Sequence, residues 1–122
     1  MDSILDSTKK ILGLDPEYDV FDVDIISHIN SAFFTLNQLG VGPAEGFMIT
    51  DNTTPWAWFS EGLSNLNAVK TYVYLRVRRL FDPPQTSFAI SAMEKQIQEL
   101  EWRLNVHREG VTYPWIPTTS TA

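Results

Sequence analysis

The pattern of apolar and polar positions predicts two long helices within residues 65–108. In the first, apolar side chains recur every three or four residues, as on one face of a helix; they are Leu66, Val69, Val73, Val77 and Leu80. In the second, a seam steps by four, three and four residues; it consists of Met93, Ile97, Leu100 and Leu104. Such a seam typically packs against another helix. Pro83 and Pro84 separate the two segments, because proline lacks an amide hydrogen and disfavours helix in the preceding residue. The pattern therefore predicts a helical hairpin with a rigid corner.

Two shorter helices are predicted upstream, over residues 3–12 and 23–39. Each ends just before a glycine, which is a common residue after a helix. We expect Asp22 or Asp24 to cap the second helix. The apolar contacts of the first helix come from Ile4, Leu5, Ile11 and Leu12. The core stripe of the second comprises Ile25, Ile29, Ala32, Phe33 and Leu36.

Residues 41–61 are rich in turn signals and aromatic side chains. Thr54 and Pro55 are typical of a helix N-cap followed by proline at the first helical position. The short turn of helix that follows carries three large aromatic residues, Trp56, Trp58 and Phe59. Such a cluster either seals the end of a bundle or forms a platform for a ligand.

The last residues form an apolar tail. We expect Gly110 to end the last helix, and residues 110–122 carry no charged side chain. Pro114 and Pro117 favour an extended path. The tail also carries three bulky side chains, Tyr113, Trp115 and Ile116. A disordered tail is usually poor in such residues, so this segment docks either on another protein or back on its own domain.

We therefore predict an all-α fold, a small helical bundle with a long C-terminal helical hairpin, an irregular aromatic-rich loop and an extended C-terminal arm. Residues 1–109 form the helical domain, and residues 110–122 form the arm. A chain of 122 residues suits one domain with a single core. No apolar run approaches the roughly 18 residues of a membrane span. The absence of cysteine suits a protein made in a reducing cytoplasm.

The net charge of −6 is unevenly distributed along the chain. Residues 11–69 contain eight acids and no lysine or arginine, whereas residues 70–109 contain seven bases and five acids. An acidic half argues against tight wrapping of nucleic acid, because phosphate neutralisation needs clustered bases. Arg76, Arg78 and Arg79 cluster near a helix C-terminus, where positive charge is favourable. These arginines could also pair with acids of a neighbouring copy.

The sequence carries none of the common catalytic motifs. It has no glycine-rich phosphate loop, no cysteine nucleophile and no spaced histidine cluster that would hold a metal. From the residues alone, we expect an interaction protein without a cofactor rather than an enzyme.

Two ordered segments carry a resemblance to a known family. They are INSAFFTLNQLGVGP at residues 29–43 and NAVKTYVYLRVRRLFDPPQTSFAISAMEKQIQELEWRLN at residues 67–105. The chain resembles the head–tail connector (adaptor) proteins of long-tailed double-stranded DNA phages over residues 20–108. The most specific part is VKTYVYLRVRRLFDPP followed by a helix ending in ELEWRLN.

The resemblance implies a helical bundle that assembles as a homo-oligomeric ring, commonly of twelve copies, beneath the portal protein at the capsid vertex. Such a ring extends the DNA channel in the neck of the virion, and DNA passes through it without specific binding. It also provides the platform for the tail-side stopper or neck protein. In that family the C-terminal segment typically reaches the portal. Carried onto this chain, the portal-docking residues are Val111, Tyr113, Pro114, Trp115 and Ile116.

A ring also suggests a use for the uneven charge. In a head-to-tail ring, one face of each subunit meets a different face of the next. We expect Arg76, Arg78 or Arg79 to pair there with Asp19 and Asp22. Trp102, which lies outside the apolar seam of its helix, is a further candidate for this subunit interface.

Two other hypotheses remain open. One is a helical interaction or regulatory protein that acts as a monomer or dimer, with its tail folded back. The other is a small enzyme or ligand-binding domain that uses Trp56, Trp58 and Phe59. The size of the protein in solution and the protection of its tail would separate the monomeric or dimeric interaction protein from a ring. Binding of a specific small ligand would identify the ligand-binding domain.

Overall fold

The structure, a computed structural model, describes residues 2–59 and 66–112, with side chains described as far as residue 105. The described residues form five helices: α1 (Ile4–Ile11), α2 (Asp22–Gln38), α3 (Trp56–Phe59), α4 (Leu66–Phe81) and α5 (Ser87–Thr112). Within these residues the only β-type pairing is an isolated bridge between Ser3 and Pro55. The predicted all-α bundle is therefore confirmed. No helix in the described ranges has both the length and the apolar character needed to cross a membrane.

The first two helices begin in different ways. Ser3 caps α1, since its side-chain oxygen accepts a hydrogen bond from the Asp6 amide at 3.2 Å. The predicted cap of α2 by Asp22 or Asp24 is wrong, because Phe21 occupies the cap position without a side-chain hydrogen bond. Both aspartates lie in the first turn, where negative charge is favourable.

The core lies where α2 packs against α4, with α5 on α4 and α1 on α2. The predicted stripe of α4 is confirmed at Val69, Val73 and Val77, which are fully buried. It fails at Leu80, which is 46% exposed because the groove between α4 and α5 is open there. The seam of α5 faces the bundle as expected: Ile97 and Leu104 are buried, and Met93 and Leu100 pack against the core.

The irregular segment between α2 and α3 is fastened by side-chain amides of α2. Asn30 exchanges two hydrogen bonds with the backbone of Ile49, at 2.9 and 2.8 Å. Asn37 donates to the carbonyls of Pro43 and Ala44. These bonds satisfy loop backbone groups that would otherwise be costly to cover.

The N-terminal residues are tied to the same region. The Ile4 amide donates to the Thr54 carbonyl, and the Trp56 amide donates to the Asp2 carbonyl, both at 3.0 Å. The Asp2 carboxylate also accepts from Lys70 of α4 at 2.8 Å. The start of the chain is thus held between α3 and α4.

The predicted end of the last helix needs correction. Helix α5 runs through Gly110 to Thr112, because a glycine inside a helix costs only about 1 kcal/mol relative to alanine and does not by itself stop it. The boundary fits the sequence, since Pro114 disfavours helix in the residue before it.

Candidate functional site

Arg76, the first of the three clustered arginines, is used inside its own bundle. Its guanidinium donates to Thr35 Oγ1 of α2 at 2.7 Å and to Ser31 Oγ at 3.3 Å. It also donates to the Tyr72 hydroxyl at 3.0 Å, and that hydroxyl donates to Glu101 of α5 at 2.7 Å. This network joins α2, α4 and α5 through one arginine.

The other two arginines, Arg78 and Arg79, differ in whether they form an ion pair within the bundle. Arg79 forms an ion pair with Glu94 of α5, which ties the hairpin together. Arg78 is exposed, and it forms no salt bridge within the described ranges. Of the three, Arg78 is therefore the one that is best placed to meet another molecule. The interface role of all three stays a prediction.

Tyr72 gives the bundle a measurable response to alkaline pH. Burial raises the pKa of its phenol to about 12, although the hydrogen bond from Arg76 opposes the shift. The unfolded chain releases this proton near pH 10, so the free energy of unfolding should fall between about pH 10 and pH 12. Urea unfolding at about pH 9 and about pH 11.5 should show a smaller loss in Tyr72→Phe than in the parent chain. An equal loss in both would contradict this assignment.

Asp22, predicted at a subunit interface, pairs within its own subunit. The Lys9 ammonium lies 2.8 Å from Asp22 Oδ1, and the Lys9 side chain is only 1% exposed. The same ammonium donates to the Pro16 carbonyl at 2.7 Å. The burial of Lys9 was not expected from the sequence. The spacing could have indicated it, since Lys9 lies four residues after the apolar Leu5 and so shares its helix face.

An open groove lies beside this pair, with a volume of about 550 Å³. We call it the acidic groove; its walls include Glu17, Asp19, Asp22, Val23, Ile26 and Asp51. The predicted interface residue Asp19 is exposed in it. Asp51 is brought to the groove by the loop before α3, a placement that the sequence did not indicate. Hydrogen bonds from the Thr53 side chain and amide lower the pKa of Asp51 below its ordinary value.

The aromatic cluster of α3 is mostly core. Trp56 and Phe59 are buried, and Phe59 stacks on Phe33 of α2 with 5.0 Å between ring centroids. The Trp56 indole donates to Ser7 Oγ at 3.0 Å. Trp58 is 65% exposed. Two of the three rings therefore seal the bundle, and a ligand platform built from all three is not formed.

Helix α5 presents large apolar side chains to solvent. Trp102 is 66% exposed and Phe88 is 83% exposed. The expectation that Trp102 lies outside its own helix's seam is confirmed by this exposure. Its role in a subunit interface stays a prediction.

The predicted portal-docking arm is divided by the end of α5. Val111 belongs to that helix. Tyr113, Pro114, Trp115 and Ile116 lie outside the described residues, so their role stays a prediction.

The remaining geometry offers little for chemistry. No group of three or more potential metal ligands occurs in the part of the chain that the structure describes. The groove between α4 and α5 is open and is lined partly by the paired Arg79 and Glu94. The described residues form helices around a core, with charged and large apolar side chains exposed on the surface.

Comparison with known families agrees with this arrangement. The chain matches the family model described as phage connector protein over residues 4–111. The match spans the five helices except for the last residue of α5. No curated protein and no solved structure gives a significant match.

Proposed function

We propose, from the premise that this chain belongs to the phage connector protein family, that it forms a ring in the neck of the virion between the portal and the tail-side proteins. The family match carries the proposal, because it covers residues 4–111 and thus almost the whole described fold. A structural rather than enzymatic role is what this family implies.

The proposed ring extends the DNA channel and provides the platform for a tail-side stopper or neck protein. Twelve copies are the number that the family resemblance suggests. The net charge of −6 supports passage of DNA without specific binding, since clustered bases are what hold phosphates.

The portal contact is proposed for residues 111–116. The sequence there combines Tyr113, Trp115 and Ile116 with two prolines, and buried aromatic anchors dominate many interfaces. Val111 would connect this contact directly to α5, of which it is part.

Cosedimentation with the cognate portal ring tests the function and the arm together. We expect the full chain to sediment with the portal and a chain that ends at Thr112 to lose most of this binding, because the aromatic anchors are removed. This end point keeps the whole of α5, so loss of helix is not the cause.

A full-length control separates anchor loss from shortening. The triple variant Tyr113→Ser, Trp115→Ser, Ile116→Ser should fail to bind, and the matched variant Thr118→Ala, Thr119→Ala, Ser120→Ala should bind normally. Binding by every variant would keep the connector role and exclude the arm. Binding by none, with all chains folded, would overturn the connector role.

A further inference from the structure

Among the described residues, three of the carboxylates of the acidic groove have no positive partner. Within the described ranges, Glu17, Asp19 and Asp51 form no salt bridge. The buried Lys9 forms its ion pair with Asp22 instead. The hydrogen bonds from Thr53 lower the pKa of Asp51 and so keep it charged. Residues 11–69, which supply all the groove's carboxylates, contain no lysine or arginine. The groove is therefore suited to a positive group of another molecule.

The groove is apolar as well as acidic. Val23, on its wall, is 80% exposed, and the nearby Val20 is 65% exposed. A fitting partner would present a cation on an apolar stem. An arginine offers both, since its guanidinium is charged and its aliphatic stem packs on apolar surface. Arg78, near the end of α4, is exposed and forms no salt bridge within the described ranges.

These two surfaces lie on opposite sides of the subunit. Asp22 and Ile26, which line the groove, lie on one side of α2, while Ser31 and Thr35, which contact α4 through Arg76, lie on the other. On α4, Arg78 lies on the face opposite to Val69, Val73 and Val77, hence away from α2. Opposite faces are what a head-to-tail assembly uses, because each copy then offers one surface and receives the other.

Both surfaces also lie at the same end of the bundle. Phe21, just before α2, packs against Phe81 at the end of α4, whereas Thr35, near the end of α2, bonds to Arg76 further back in α4, so the two helices run antiparallel. The rings of Phe21 and Phe81 mark this end, with centroids 5.2 Å apart. A contact between the same ends of two copies joins them without a shift along the bundle, which is compatible with a closed ring.

We propose that the acidic groove of one copy receives Arg78 of the next copy. This inference rests on the proposed connector function, and it selects Arg78 from the three arginines because Arg76 and Arg79 are held within their own bundle. The charges set the register of the contact, and the exposed valines pack on the aliphatic stem of Arg78.

Crosslinking tests the contact directly, because the chain has no cysteine of its own. A chain carrying both Asp82→Cys, one helical turn after Arg78, and Asn52→Cys, on the wall of the groove, is bound to the portal ring and treated with a short bismaleimide; Arg78 and the groove carboxylates stay in place. All copies carry both groups, so each contact can link one copy to the next. We expect a ladder of multimers in denaturing gels, extending beyond the dimer.

The matched control keeps Asn52→Cys and moves the other cysteine to α5, as Lys95→Cys. Lys95 is also exposed, but it is outside the proposed contact. We expect at least about tenfold less crosslinking from this pair, because a short linker captures only groups that are held close together. All three positions are exposed, and circular dichroism checks that each variant keeps its helices.

The outcomes separate this inference from the proposed function. Sedimentation with the portal and a ladder specific to the pair of residues 52 and 82 would support both. Sedimentation without that ladder, an equal ladder from the control, or a product that stops at the dimer would overturn the contact while keeping the connector role. A chain that neither sediments nor crosslinks would overturn both. A specific ladder without portal binding would support the contact alone.

Discussion

Replacing Gly42 with alanine is expected to destabilise the fold by about 3 kcal/mol. Gly42 has a φ of +90°, and a Cβ atom there would lie 2.6 Å from the Phe59 ring. The positive φ costs a residue with a Cβ about 1–2 kcal/mol, and overpacking adds about 1–3 kcal/mol. The ring cannot easily withdraw, because Phe33 stacks on one side of it and Phe47 packs edge-on at 5.3 Å.

Gly13→Ala is the matched control for this substitution. Gly13 has a similar φ of +83°, but a Cβ there would meet nothing within 4 Å. Gly13→Ala should therefore lower the free energy of unfolding only by the backbone contribution, about 1 kcal/mol. Urea unfolding of both variants measures the two losses. Replacing Phe59 with leucine should cost less in Gly42→Ala than in the parent chain, since it relieves the overlap. Equal losses at the two glycines would show that Phe59 does not restrict Gly42.

The second large effect is expected at the ion pair between Lys9 and Asp22. Asp22→Ala should destabilise the protein by about 3 kcal/mol, because it leaves a buried ammonium without its counter-charge. Lys9→Met should change the free energy of unfolding by less than about 1 kcal/mol. The asymmetry follows from exposure: the Lys9 side chain is 1% exposed, whereas Asp22 is 28% exposed and can be hydrated when alone.

The double variant tests whether the unpaired buried charge causes the loss of stability. Lys9→Met combined with Asp22→Ala should be about 2 kcal/mol more stable than Asp22→Ala, because the buried charge is then gone. Chemical denaturation of the four chains measures this coupling. Additive losses would mean that the two side chains act independently, and the buried charge would then not be the cause.

Most of the fold could be predicted because its helices bury regular stripes. Val69, Val73 and Val77 follow the helical period and are buried as expected. Leu80 continues that period but is exposed. Periodicity identifies the face of a helix, whereas burial also requires a neighbour that covers that face, and the sequence does not show where the α4–α5 groove opens.

The charged groups were harder to predict because their partners come from distant elements. Arg76 was expected at a subunit interface, but two hydroxyls of α2 and the Tyr72 phenol receive its hydrogen bonds. Nothing local to α4 shows which α2 residues lie beside it. The acidic groove likewise combines residues from α1, α2 and the loop before α3, so only the folded chain shows it as one surface.

The attachment of the N-terminal residues has a consequence for the order of folding during synthesis. The backbones of Asp2 and Ile4 form hydrogen bonds with those of Trp56 and Thr54, respectively. The Asp2 carboxylate forms an ion pair with Lys70. None of these bonds can form until residue 54 or a later residue has left the ribosome. The hairpin of α4 and α5 closes over a short separation, and α1 packs on its near neighbour α2. Residues 2–4, by contrast, reach their partners across about fifty residues or more, a loop that is slower to close. These residues are therefore among the last to reach their native position, although they are synthesised before the residues that hold them.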